Sequence, residues 1–193
     1  MGKIIHSRKL REFFSSTPVF TARDIKIAVG GGYSRLLLHN LTGSGEIKRL
    51  VRGYYTVLDD PIVSVFCFRP AYLGLYTALS MHNLWEQETN INIITSRNVR
   101  TGMRNVLESN VNIYKMDNDW MFGFDMLRYG DIYLPVSSVE KTLLDFFYFG
   151  KDMDRAMLKT IKSHIDMDKL SAYSSRLDRS TKEKVEKFLR TRF

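Results

Sequence analysis

The chain has a single cysteine, Cys67, among its 193 residues. A lone thiol cannot close an internal disulfide or supply a cysteine-rich zinc cage, which points to a reducing, cytoplasmic setting. Long apolar runs are also missing. The longest near-continuous one, Ile62 to Phe68, falls far short of the roughly 20 helical residues that span a bilayer, so no membrane partner is expected. The opening Met-Gly-Lys-Ile-Ile-His has no signal-peptide apolar core, and His6 stands where a myristoylation pattern wants Ser or Thr. Internal repeats and low-complexity segments are absent. With 44% hydrophobic and 26% charged residues, the composition is that of a folded protein and excludes wholesale disorder. The length suits one domain or two small ones.

What is present is positive charge, unevenly distributed. The net charge is +8, which suggests a polyanionic partner. Residues 1–57 hold ten Lys/Arg against three Asp/Glu, net +7. Residues 58–150 hold seven against eleven, net −4, and residues 151–193 hold twelve against seven, net +5. A basic head, an acidic middle and a basic tail imply units with different surfaces. The composition turns at Leu58-Asp59-Asp60-Pro61, so the expected domains are 1–58 and 59–193.

The head reads as three helices and a hairpin. Residues 3–14 form an amphipathic pattern ended by Ser15-Ser16-Thr17-Pro18. Thr21-x-x-Asp24 is a capping-box start for a second helix to about Val29. Gly30-Gly31-Gly32 gives a turn, and a third helix runs from about Tyr33 to Thr42 before Gly43-Ser44-Gly45. At 100° per residue, Leu37, Leu38 and Leu41 share a core-facing stripe. Arg35 and His39 fall on the opposite side with Leu36 and Asn40 beside them. Arg can read guanine and Asn adenine in the major groove. Glu46–Leu50 and Tyr54–Leu58 are β-prone around Val51-Arg52-Gly53, a hairpin with a basic tip. The order describes a winged helix-turn-helix. Its third helix would enter the major groove, and Lys48, Arg49 and Arg52 of the wing would lie along phosphates, with one of Tyr54 and Tyr55 free to touch the sugar-phosphate backbone. The expected DNA-binding residues are Ser34, Arg35, His39, Asn40, Lys48, Arg49, Arg52 and Tyr54. A structural three-helix bundle with merely solvated charges is the competing reading.

Beyond the head the pattern is mixed. Ile62–Phe68 suits a strand or a buried helix, and Arg69–Leu84 reads mostly as helix. Asn90–Ser96 and Val111–Met116 read as strands, Trp120–Phe124 as a third, and Asp131–Pro135 as a short strand before a helix at Val136–Phe149. On that helix Val139, Leu143, Phe146 and Phe147 share one stripe, and Lys141 and Asp145 share the other side; Glu140-Lys141 is expected to lie on a solvated helix face. The tail from Lys151 has helix-period apolar residues. The fold class is therefore α/β (α+β): an N-terminal winged helix-turn-helix, then a mixed α/β domain with a helical C-terminal tail.

Catalytic patterns are weak. Gly43-Ser44 with Asp59-Asp60 loosely matches a nucleotidyltransferase motif, yet adjacent carboxylates in a strand point to opposite faces. Asp117-x-Asp119, Asp152-x-Asp154 and Asp166-x-Asp168 sit where turns and helix starts favour Asp. His82 and Glu86 could share a helix face but lack a third metal ligand. Glu140-Lys141 with Asp131 suggests a nuclease only faintly, and Cys67 suits a buried small apolar position. The expectation is a non-enzyme without metal or cofactor.

Four segments resemble a known family. They are Leu37–Leu41 running into Ile47–Tyr55, Ala71–Leu84, Val136–Asp145, and Ile165–Leu170 with the helix after it. In that order they are similar to the AbiEi-type antitoxins of type IV toxin–antitoxin (abortive infection) systems. A stretch that is usually Tyr-x-Ser-x-x-Ser-Ala-Leu in the family carries Gly74 and Thr77 here. The resemblance implies a winged helix that binds double-stranded operator repeats and represses its own operon; twofold repeats would imply two protomers on the DNA, but not a dimer in solution. It also implies a C-terminal region that counters, directly or functionally, a nucleotidyltransferase-like toxin. A protein-interaction module, or a winged-helix regulator without a toxin partner, is the alternative.

Overall fold

The computed structural model describes residues 10–30, 34–86 and 90–192, of which 191 and 192 by backbone only. The expected helix start at residues 3–9 and the Gly31-Gly32-Tyr33 part of the turn lie outside the described residues. The chain divides into two units. One comprises Met1–Phe68 with Arg104–Asn110, and the other comprises Arg69–Met103 with Val111–Phe193.

The first unit is a winged helix. Helix α1 (10–16) is followed by β1 (Phe20–Thr21), α2 (Ala22–Val29), α3 (Ser34–Gly43), β2 (Lys48–Val51) and β3 (Tyr54–Thr56). The three strands pair in the order β1-β3-β2, all antiparallel. Leu10, Phe20, Ile25, Leu41 and Ile47 are buried together, with Phe13, Phe14, Leu37, Leu38 and Tyr55 packed against them. Stacked rings at the centre, Phe14 on Phe20 at 5.0 Å, lock α1 onto β1. The two-residue strand β1 escaped the sequence reading because two residues show no periodicity.

This unit does not end at Leu58. A 3-10 run, Pro61–Phe68, follows with Ile62 to Phe68 all buried, so the boundary falls ten residues later than the acidic turn suggested. Asp59 and Asp60 are structural anchors here: Asp60 Oδ1 accepts the Ile62 N–H at 2.9 Å and starts the run, and Asp59 pairs with Lys48 of β2.

The second unit is built on a mixed sheet of order β6-β7-β5-β4-β9-β8. Its strands are β4 (Ala71–Leu73), β5 (Ile91–Thr95), β6 (Gly102–Val106), β7 (Ser109–Lys115), β8 (Phe124–Tyr129) and β9 (Ile132–Ser137). β4 runs parallel to β9 and antiparallel to β5, and β5 runs parallel to β7. Residues 104–110, the tip of the β6–β7 hairpin, group with the first unit. The helices are α4 (Leu75–Met81), α5 (Val139–Tyr148), α6 (Arg155–His164), α7 (Met167–Ser174) and α8 (Arg179–Arg192). The expected long helix over Arg69–Leu84 is therefore a strand, a glycine and a shorter helix. Trp120–Phe124 is not a strand: a 3-10 turn covers Asn118–Trp120, and β8 begins only at Phe124. Among the described residues no helix is long and apolar enough to cross a membrane.

Candidate nucleic-acid interface

Local chemistry positions the two helices of the motif. Asp24 N–H donates to Thr21 Oγ1 at 3.3 Å, and Thr21 N–H donates to Asp24 Oδ2 at 2.8 Å, a reciprocal cap that satisfies two otherwise orphaned donors at the start of α2. At the far end of α3, Ile47 N–H donates to the Leu41 carbonyl at 3.1 Å, tying α3 to the first wing strand. Leu41 is buried, while Leu37 and Leu38 are half-buried against the same core. The helix is thereby oriented with the opposite face outward. Arg35, Leu36, His39 and Asn40 are all exposed, and Ser34 is half-buried at the first position.

The wing turns at Arg52-Gly53, with Gly53 at φ 86, a conformation that favours glycine. Arg49 and Arg52 are exposed. Tyr55 packs toward Phe20 with ring centroids 6.5 Å apart. Alternation along β3 then puts Tyr54, half-buried, on the other face. Lys48 differs from the other wing cations because it is paired with Asp59. A phosphate would have to compete with that carboxylate. The eight expected residues thus fall into two groups on one unit, four on α3 and four on the hairpin. Exposed Arg23 and Lys26 of α2 were missed by the sequence reading. Their spacing of three on the first helix of the motif, which crosses the DNA backbone in such folds, was the available signal.

The polar side of α5 departs from expectation. Glu140, Lys141 and Asp145 are not solvated: they are 4%, 0% and 0% exposed. Helices α4, α6, α7, α8 and strand β9 surround α5, so its polar stripe has no route to water. Lys141 Nζ pairs with Asp145 Oδ1 one turn on and donates to the Tyr72 hydroxyl at 3.0 Å. The Tyr72 hydroxyl in turn donates to Asp145 Oδ1 at 3.0 Å. The ammonium sits 5.3–5.7 Å from the ring centroids of Phe122, Tyr72 and Trp120, an aromatic cage that partly replaces water. Burial lowers the Lys141 pKa against the pull of Asp145, and raises that of Asp145 to about 6 despite Lys141 and Tyr72. Burial and the Asp145 charge also push the Tyr72 phenol well above its ordinary range.

Among the described residues Asp145 Oδ2 has no hydrogen-bond partner. A Cβ built at Gly74 would lie 3.3 Å from it, although 2.3 Å from Ile94 Cδ1. Glycine is therefore what fits at position 74 against Ile94. Nearby, Thr77 Oγ1 accepts the Asn92 N–H at 2.8 Å. Glu140 bridges two helix starts, accepting from Asp166 N–H at 3.0 Å and Ser138 Oγ at 2.8 Å, with Lys169 at 3.3 Å. Burial would raise its pKa, but these donors and the Lys169 charge outweigh it and hold the carboxyl below its ordinary value.

The other acidic pairs have local tasks. Asp154 and Asp166 cap α6 and α7, and Asp117 Oδ2 accepts from the Tyr148 hydroxyl at 2.9 Å. His82 Nε2 lies 2.8 Å from the Ser137 carbonyl, and α4 has already ended at Met81, so His82 and Glu86 do not share a helix face. Cys67 is buried in the 3-10 run. Among the described residues no three His, Cys, Asp or Glu side chains group to hold a metal ion. A groove of about 750 Å³ in the second unit is lined by Asp117, Asp119, Trp120, Tyr148, Arg176 and Lys184, among others.

No protein-family model matches the chain, and no curated protein matches it. The fold is similar to the crystal structure of RV2827C protein from Mycobacterium tuberculosis, with a TM-score of 0.56 at 12% sequence identity. The likeness covers 89% of this chain and 71% of that one.

Proposed function

We propose that the chain is a cytoplasmic DNA-binding antitoxin and transcriptional autorepressor of the AbiEi type, with no catalytic activity of its own. The observation that supports it best is the outward face of α3, where Arg35, His39 and Asn40 are exposed on the same unit as the basic wing tip at Arg49 and Arg52. The +7 charge of residues 1–57 adds a long-range attraction for duplex DNA. The antitoxin half of the proposal draws on the four resembling segments, which span both units.

Titrating the full-length chain onto duplex from its own promoter, at several salt concentrations, tests the DNA-binding half. Affinity should fall steeply with salt, and changing Arg49 and Arg52 to Gln should flatten the slope by about 0.9 per lost phosphate contact. An unchanged slope removes the wing from the mechanism. Arg35→Ala should cost about 1–3 kcal/mol on the operator and little on random duplex; equal losses would make it a phosphate contact. The antitoxin half is tested by co-expression with the neighbouring reading frame if that frame carries Gly-Ser and a spaced Asp-x-Asp: the chain should restore growth. A second reading, a protein-interaction module, is favoured by the aromatic and acidic groove at Trp120, Asp117 and Asp119. Stable copurification of a stoichiometric partner, without operator binding, would support that reading instead.

A further inference from the structure

Leu36 is the large apolar residue that α3 leaves in water, at 56% exposure. One exposed leucine is ordinary on any protein surface; its position is not. It is the third residue of α3, and recognition helices use their N-terminal residues to reach base edges. Counting 100° per residue, Leu36 lies almost opposite the stripe of Leu37, Leu38 and Leu41 that holds the helix to its core. The exposed donors Arg35, His39 and Asn40 flank it on both sides. The middle of a face otherwise suited to hydrogen bonding therefore carries a side chain that can make none.

The major groove offers one apolar partner, the C5-methyl of thymine; every other major-groove group used in base recognition donates or accepts hydrogen bonds. Pressing a leucine onto a cytosine amino group or a purine N7 would desolvate that group without compensation. Leu36 would thus favour thymine and also disfavour the alternatives. Resting on the DNA-binding reading above, we infer that Leu36 is a specificity-determining residue that recognises a thymine methyl in the operator, beside the base reached by Arg35.

The full-length chain is first used to select its preferred duplex from a random pool. Each thymine of that site is then replaced singly by uracil, which removes the methyl and keeps every hydrogen-bonding group. Burial of one methyl-sized group predicts a loss of about 3- to 5-fold in affinity at one or two adjacent positions. Leu36→Ala should bind the thymine and uracil duplexes equally, whereas Leu36→Met, which stays apolar, should keep the discrimination. Because Leu36 is exposed, both variants should unfold at the same denaturant concentration as the parent chain. Uracil losses that are absent, or the same in the parent and Leu36→Ala, overturn the inference while DNA binding stands. If no duplex is selected at all, the DNA-binding reading fails first, and the inference falls with it.

Discussion

Helices α3 and α5 are both ten residues long, and both divide into an apolar stripe and a polar side. α3 turns its polar side to water, with one buried residue, Leu41. α5 buries seven consecutive residues, Glu140 to Phe146, including three that ionise. The difference comes from the neighbours: α3 rests on a small core along one side, whereas α5 is enclosed by four helices and a strand. An amphipathic pattern identifies two unlike faces. It does not say that the polar one meets solvent, and a polar face denied water has to supply its own partners, as Tyr72 and the aromatic cage do here.

The contrast can be broken most severely at Lys141. Lys141→Met leaves a buried carboxylate without its counter-ion and should destabilise the chain by about 3–5 kcal/mol in urea unfolding. Adding Asp145→Leu should recover most of that loss, since an apolar pair of similar volume replaces the ion pair. If the double variant is as unstable as the single one, shape rather than charge governs the site.

A smaller effect is expected from pH. The folded-state pKa of Asp145, about 6, lies above the ordinary carboxylate value of about 4. Between these values the folded chain holds a proton that the unfolded chain releases. The stability contributed by this group is therefore complete below pH 4 and is lost as pH rises through about 6, roughly 2–3 kcal/mol in all. Asp145→Asn cannot titrate. Its unfolding midpoint, compared with that of the parent chain at pH 4 and 7, should change less in the direction of lost stability. Parallel pH profiles would contradict the assignment.

The smallest effect belongs to α3. Arg35→Ala and His39→Ala should alter unfolding stability by no more than about 0.5 kcal/mol, because both side chains are exposed and outside the core. A loss comparable to that of Lys141→Met would show that the outward face of α3 is structural.

The winged helix was legible in the sequence because its signals are local. The Thr21/Asp24 box, the leucine spacing of α3 and the turn residues around Arg52-Gly53 each act within a few residues, and the structure places them as expected. The β6 and β8 strands were not legible. They are the two edges of the six-stranded sheet, where side chains such as Met103, Met126 and Tyr129 remain exposed, so neither shows the strong apolar signal of a central strand. The run Ile62–Phe68 was ambiguous for a different reason: short apolar segments bury equally well as strand or helix, and here Asp60 starts it as 3-10.

By itself, then, the sequence determined a basic head with helix-turn-helix spacing and an outward α3 face carrying Arg35, Leu36, His39 and Asn40. Capping, periodicity and charge are properties of neighbouring residues and need no distant contact. Only the tertiary structure decided that Glu140, Lys141 and Asp145 are interior, that Lys48 is held by Asp59, and that the first unit continues to Phe68. Burial depends on what packs against a face. For α5 those neighbours come from segments as distant in sequence as Leu75 and Arg192.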